Sequence, residues 1–246
     1  MKNKLETITP YRDPNTEKKE QVAIMFNNIS GNYDFLNHFL SLNIDKIWRK
    51  KAIKKLKKIS PQHILDVATG TGDFALSSYH ILNPKKITGI DISSGMLDVG
   101  RKKISDRKLE NFIEFKEADS ENIPFDENTF DAVTVSFGVR NFQNLKKGLS
   151  EMLRVSKKGA IIVILELSIP EKFPVRNFYN FYFKRILPIF GKVFSKDNFA
   201  YSYLPESVNA FPTKSKFLEL LNETGYKNTH VKTLSFGIAN IYIGTK

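Results

Sequence analysis

The stretch Ile64-Leu65-Asp66-Val67-Ala68-Thr69-Gly70-Thr71-Gly72-Asp73, answered some twenty residues later by Ile90-Asp91, groups this chain's chemistry-bearing residues most tightly. An apolar strand ending in two glycines lets backbone approach a ligand closely, and an acid at the end of the next strand can hold a ribose by both hydroxyls. These residues describe a site for an adenosine-containing cofactor. Two cofactor classes use it, since Gly70-x-Gly72-x-x-Ala75 also satisfies the dinucleotide pattern. Asp73 is the residue expected to separate them. A carboxylate at the start of the helix after the glycines would repel a pyrophosphate, whereas S-adenosylmethionine brings an ammonium and a sulfonium that Asp66 and Asp73 would attract. Asp73 also fits a plainer part, capping a helix over 74–82.

Strands alternating with helices must position these groups. Apolar runs predict strands at His63–Thr69, Lys86–Asp91, Phe112–Asp119, Phe130–Gly138 and Ala160–Ser168. Helical spacing predicts helices near 73–82, 93–108, 144–156 and 213–224, and Lys227–Ser235 with Ile238–Gly244 suits a terminal antiparallel hairpin. Continuous apolar strands such as Ala160–Leu165 suit a parallel sheet covered on both faces. In such sheets ligands sit beyond the carboxyl ends of the strands. The candidates there are Gly70, Thr71 and Gly72, then Asp91, then Asp119 and Ser120 for an adenine edge, then Ser136 to Asn141.

Composition narrows the class. With no cysteine among 246 residues, thiolate zinc sites, thiol nucleophiles and disulfides are excluded. No metal site is expected, and His38, near the N-terminal segment, has no evident carboxylate partner, so histidine catalysis is not expected either. Met1 to Glu20 is polar and no run of about 18 apolar residues occurs, so neither a spanning helix nor a secretory signal is expected and the protein reads as cytoplasmic. The net charge of +12 calls for nucleic acid, anionic lipid or an acidic substrate. Its densest piece runs from Lys46 to Ile59, where Trp48, Ala52, Leu56 and Ile59, with Ile53, form an apolar stripe opposite a face of Lys and Arg. Such a helix is either a solvated surface element or one that rests on a membrane or nucleic acid.

Taken together, these motifs resemble a family. The chain is similar to class I S-adenosylmethionine-dependent methyltransferases, and specifically to the quinone C-methyltransferases acting on demethylmenaquinol and on the matching ubiquinone precursor. The general features are Asp66-x-x-x-Gly70-x-Gly72 and Asp91-Ile92-Ser93 with Met96-Leu97. The specific ones are Met25-Phe26-Asn27-x-Ile29-Ser30-x-x-Tyr33-Asp34-x-x-Asn37, Trp48-Arg49, Ile123-Pro124-Phe125, Phe137-Gly138-Val139-Arg140-Asn141 and Tyr203-Leu204-x-Glu206-Ser207. One departure is Lys157-Lys158-Gly159-Ala160, which stands where the family has a Pro-Gly-Gly turn before strand five.

The resemblance implies an α/β fold with a Rossmann-like seven-stranded sheet, mostly parallel with an antiparallel C-terminal hairpin and helices on both faces. Residues 1–60 would form an N-terminal helical cap and substrate-access segment, and 61–246 a cofactor-binding core with a lid insertion at about 170–212, all within one structural domain. S-adenosylmethionine would be held by Asp66, Gly70, Thr71, Gly72, Asp91, Asp119, Ser120 and Ser136. The substrate would be a prenylated hydroquinol, most simply demethylmenaquinol, with a benzoquinol precursor as the alternative. Its electron-rich ring carbon becomes enolate-like on loss of a phenolic proton, which the oxidised quinone cannot match. Arg140 would stabilise the developing phenolate with Asn141 orienting it, and Tyr33 and Asp34 would be next in line for proton handling. A structural ion pair is the plainer reading of Arg140.

A substrate with an isoprenoid tail gives the basic helix and the aromatic, cationic stretch Phe173–Phe199 a shared purpose: resting on the anionic inner face of the cytoplasmic membrane. Packing on the sheet is the plainer reading of those aromatics. A nucleic-acid methyltransferase is disfavoured, because no base-holding Asn-Pro-Pro-Tyr-like motif is present. Self-association is left open.

Overall fold

The computed structural model describes residues 4–182, 185 and 198–246. Strands β1 (His63–Val67), β2 (Lys86–Asp91), β3 (Ile113–Glu117), β4 (Phe130–Ser136), β5 (Ser156–Leu167), β6 (Lys227–Leu234) and β7 (Ala239–Thr245) form one sheet in the order β3-β2-β1-β4-β5-β7-β6. β1 to β5 are parallel, and β7 runs antiparallel to both β5 and β6. The strand order reverses between β1 and β4, which opens a crevice at their carboxyl ends.

Both sheet faces are buried because successive side chains along β1 and β4 leave on opposite sides and both sets are apolar. On one face Leu65, Val67, Val133 and Val135 pack with Leu149 and Met152 of α7 (Leu145–Val155) and Phe217 and Leu221 of α10 (Lys214–Thr224). On the other, Ile64, Ile87, Ala132 and Val163 meet Trp48, Ala52 and Ile53 of α4 (Ile44–Ile53), Phe74 and Ala75 of α5 (Asp73–Leu82) and Leu97 and Ile104 of α6 (Ser94–Ser105). Each large side chain so buried contributes roughly 1.5–3 kcal/mol.

The N-terminal segment comprises α1 (Lys4–Thr7), α2 (Lys18–Ile29) and α3 (Tyr33–Leu40), and crosses the crevice end of the sheet. Val22 and Met25 of α2 share a small core with Ala200 and Tyr203 of α9 (Asn198–Ala210). Asn27 fastens α2 to the start of α6, its Oδ1 accepting from Ser93 Oγ at 2.7 Å and from the Gly95 N–H at 2.9 Å.

Three expectations change. Lys157 to Ala160 belongs to β5, which begins at Ser156; the register jumps from Phe130↔Ser156 to Ala132↔Ile161, so these residues bulge within the strand instead of turning before it. In the basic helix, Trp48, Ala52, Ile53 and Leu56 are buried, but Ile59 is exposed because α4 ends at Ile53 and one turn of 3-10 helix shifts the later residues off the helical stripe. Arg49 faces inward, not to solvent, because two carboxylates await it there. Of the aromatic stretch, α8 (Val175–Phe181) is helical with Phe178 and Phe181 exposed, while Phe183, Lys184, Phe190, Lys192 and Phe194 lie outside the described residues.

Candidate active site

A cleft opens beyond β1, β2 and β4. Gly70, Asp91, Asp119, Ser120 and Ser136 line it, as expected of strand-end residues. Ala68 (φ 52) and Phe137 (φ 59) leave β1 and β4 in the left-handed region, turning the backbone sharply at the cleft's rim. Gly70 has φ +57, and a Cβ there would meet nothing within 4 Å, so its backbone borders open space.

Asp91 is oriented by that loop. Its Oδ2 accepts from the Gly70 N–H at 2.8 Å and its Oδ1 from the Ser93 N–H at 2.9 Å, which leaves further lone pairs on both oxygens for a diol. Burial raises its pKa above the usual carboxylate value, against the pull of these N–H groups. Asp119 is held in a turn by the Glu121 N–H at 2.8 Å, and Ser136 Oγ is buried without a partner among the described residues. An open glycine cradle, a pre-oriented carboxylate and an unsatisfied hydroxyl fit S-adenosylmethionine.

Asp66, Thr71 and Gly72 sit behind the cleft. A Cβ on Gly72 would collide with the Phe115 ring, so close packing against that ring requires a glycine there. Asp66 is buried and accepts from Thr134 at 2.6 Å and Thr69 at 2.7 Å, which braces the loop from below. Burial pushes its pKa up to about 6. The native state therefore holds this proton more tightly than the unfolded chain, and the stability so gained is lost as pH rises from about 4 to about 6. Asp66→Asn is expected to gain on the wild type across that window by on the order of 2–3 kcal/mol and hold the gain above it. Urea unfolding at stepped pH checks this; a difference that does not vary with pH would refute it.

Asp73 does not face the cleft, contrary to the discriminating role expected of it. It pairs with Arg49 at 3.0 Å and Lys103 at 2.7 Å, which outweigh burial and hold its pKa below the ordinary value. Nor does it cap α5, whose preceding residue is Gly72 in the left-handed conformation. The same cluster claims Asp34, which pairs with Lys103 at 2.5 Å and accepts from the Thr71 hydroxyl. It also corrects the reading of His38, whose Nδ1 lies 2.9 Å from Asp45 and Nε2 3.2 Å from Asp73. Asp45 reaches His38 across the turn into α4 and Asp73 from beyond β1, so helical spacing within α3 could not reveal either partner. The result is a charged latch between α3, α4, α6 and the glycine loop.

A second cavity adjoins the cleft and shares Phe26, Tyr33 and Asn141 with it. Met25, Ile29, Leu36, Leu40, Ala200 and Leu204 make it apolar, and Arg140, Asn141, Asn37 and Tyr203 supply its polar groups. Arg140 Nη1 pairs with Glu166 at 2.8 Å and donates to the Phe137 carbonyl, while its Nε and Asn141 Oδ1 are buried without partners among the described residues. Burial works against the guanidinium charge, but Glu166 more than offsets this and raises the pKa. The ion-pair reading of Arg140 is thus realised through Nη1, with Nε to spare. Sequence reading missed Glu166, although an acid inside the apolar run Ile161–Leu167 signals a buried partner. It also missed Lys19, Val22 and Phe142 in the cleft wall, and named Ile92 and Met96 only as motif residues without placing them there.

Residues 15–246 match the model of the ubiE/COQ5 methyltransferase family. The demethylmenaquinone methyltransferase of Bacteroides fragilis is 48% identical over 241 residues, covering 98% of each chain. The ubiquinone/menaquinone biosynthesis C-methyltransferase UbiE of Geobacter sulfurreducens is 44% identical over 240 residues, 97% of this chain and 93% of that one. A SAM-dependent methyltransferase of Thermotoga maritima, 19% identical, shares the fold with a TM-score of 0.62 over 91% of this chain and 99% of that one. A class I methyltransferase sheet, a cleft built for the cofactor and an adjoining second chamber thus go with near full-length kinship, and the chain belongs to the ubiE/COQ5 methyltransferase family, with S-adenosylmethionine as its methyl donor.

Proposed function

We propose that this enzyme methylates a ring carbon of a prenylated hydroquinol, converting demethylmenaquinol to menaquinol. The observation that carries the reading is the second cavity: an apolar chamber beside the cofactor cleft, with its polar groups gathered around Arg140 and Asn141. When bound, S-adenosylmethionine supplies a methyl group activated by a positive sulfur. Asp91 accepts from the ribose hydroxyls, Asp119 and Ser120 serve the adenine edge, and Gly70 gives room. Phe26 and Tyr33, common to both cavities, exclude water where they meet. Arg140 lowers the cost of phenolate formation through its charge and free Nε–H, and Asn141 Oδ1 accepts from the phenol while it is still protonated. The phenol loses its proton, the carbon–methyl bond forms as the sulfur–methyl bond breaks, and the ring C–H proton returns to the oxygen, so one proton is released per methyl. Asp34, spent on Lys103, orients Tyr33 by holding α3 to the glycine loop.

The Geobacter relative's name, covering ubiquinone as well as menaquinone, makes a benzoquinol precursor the second reading. The test supplies methyl-labelled S-adenosylmethionine with short-tailed demethylmenaquinone or the benzoquinone precursor, each with and without reductant. Label in the naphthoquinol ring only after reduction is expected. No transfer despite cofactor binding would overturn the reading, and transfer to the benzoquinol alone would replace it with the second.

The substrate's tail calls for a membrane-facing surface. No helix among the described residues is long and apolar enough to cross a membrane. Phe35, Phe39, Leu42 and Ile47 stand exposed around the turn between α3 and α4, and Lys46, Lys50 and Lys51 along α4, with Lys54 just past its end, are exposed beside them. Tyr182 bonds the Leu40 carbonyl at 2.9 Å, bringing the end of α8 to the same corner. We place the lipid contact there, each lysine near an anionic surface contributing about 1 kcal/mol. Binding to phosphatidylglycerol vesicles at low salt is expected, with release at high salt and at least tenfold weakening in a variant with Lys46, Lys50 and Lys54 changed to Gln. Indifference to those vesicles would remove the idea.

A further inference from the structure

Four buried polar atoms without a partner among the described residues, Ser136 Oγ, Arg140 Nε, Asn141 Oδ1 and the Tyr203 hydroxyl, belong to residues lining the two adjoining cavities. Unpartnered groups of this kind are costly unless a ligand satisfies them, and Ser136 belongs to the cofactor side. The other three line the second cavity. Arg140 and Asn141 have roles in the hydroquinol reaction; Tyr203, from the Tyr203-Leu204-x-Glu206-Ser207 segment, has none.

We propose that Tyr203 is a further catalytic residue of this site, its hydroxyl donating a hydrogen bond to the quinol oxygen that becomes phenolate. The inference rests on the hydroquinol reading. Tyr203 is 3% exposed, its ring set among Val22, Met25 and Ala200 where α2 meets α9, so the side chain is fixed by packing. Burial raises its pKa well above the ordinary phenol value despite the nearby Arg140 charge, so at neutral pH it is a donor and not a base. With Glu166 occupying Arg140 Nη1, the fully buried unpartnered atoms of the cavity's described residues are two donors, Arg140 Nε–H and the Tyr203 O–H, and one acceptor, Asn141 Oδ1. That set matches the reaction. A neutral phenol donates to the acceptor; a phenolate has lone pairs for both donors and gains most from them as charge develops. It also gives the segment around α9 a chemical purpose: its packing against α2 sets the second donor in the cavity.

The test compares Tyr203→Phe with wild type on reduced short-tailed demethylmenaquinone. The expected result is a kcat lower by on the order of 10²-fold, with S-adenosylmethionine Kd and thermal midpoint unchanged, because the lost hydroxyl has no partner among the described residues. Wild-type kcat in the variant would overturn the proposal while leaving the hydroquinol reading in place. A fall in the thermal midpoint that accounts for the lost activity would also overturn it, by showing the hydroxyl to be structural. Absence of transfer by the wild type would overturn both.

Discussion

Arg140→Ala is expected to lose about 3–5 kcal/mol of folding stability, because Glu166 is fully buried and would be left as an unpaired charge. The Glu166 carboxylate otherwise has backbone company, from the Leu167 N–H at 2.9 Å and the Arg140 N–H at 3.3 Å. Combining Arg140→Ala with Glu166→Gln removes the stranded charge and should return most of the stability. Turnover should not return with it. The combined variant is expected to stay at least 10²-fold below wild type in kcat, with cofactor affinity changed less, since the guanidinium serves charge that develops in the transition state. Denaturant unfolding and steady-state kinetics on the two variants separate the roles. Recovery of turnover in the combined variant would assign Arg140 to structure alone, and a cofactor Kd that moved more than kcat would take it out of the substrate site.

Asp91→Ala is expected to weaken S-adenosylmethionine binding by about 2 kcal/mol or more, roughly 30-fold in Kd, because a charge-assisted acceptor for the ribose disappears. The structure adds a reason for the size of the effect. The carboxylate also accepts the Gly70 and Ser93 N–H groups, so its removal releases the loop whose backbone borders the ligand. Asp91→Asn keeps one acceptor for these groups and should fall between the two. Calorimetric titration measures it directly, and unchanged affinity in Asp91→Ala would mean that the ribose lies elsewhere.

The contrast between Asp91 and Asp73 shows where sequence reading succeeds. Asp91 ends a parallel strand next to the one that carries Gly70, and β-strand geometry alone brings such ends together. Asp73 lies one residue from Gly72, yet its carboxylate leaves toward Arg49 and Lys103, contributed by helices before and after it in the chain. Proximity along the chain said nothing of that direction. His38 and Asp34 belong to the same cluster and were unreadable for the same reason. Glu166 lies between these cases: its burial in an apolar strand was legible, its partner was not.

Periodicity and strand ends determined, from the sequence by itself, the alternating α/β order, the C-terminal hairpin and a cofactor crevice beyond β1, β2 and β4, because backbone geometry and apolar spacing are local properties. Only the tertiary structure decided which polar groups remain free. Asp34, Asp73 and Thr71 are consumed by the latch to Lys103 and Arg49, while Arg140 Nε, Asn141 Oδ1 and the Tyr203 hydroxyl are left open beside an apolar chamber. A side chain's availability depends on what lies across from it in space, and those neighbours come from helices that the chain order keeps far apart.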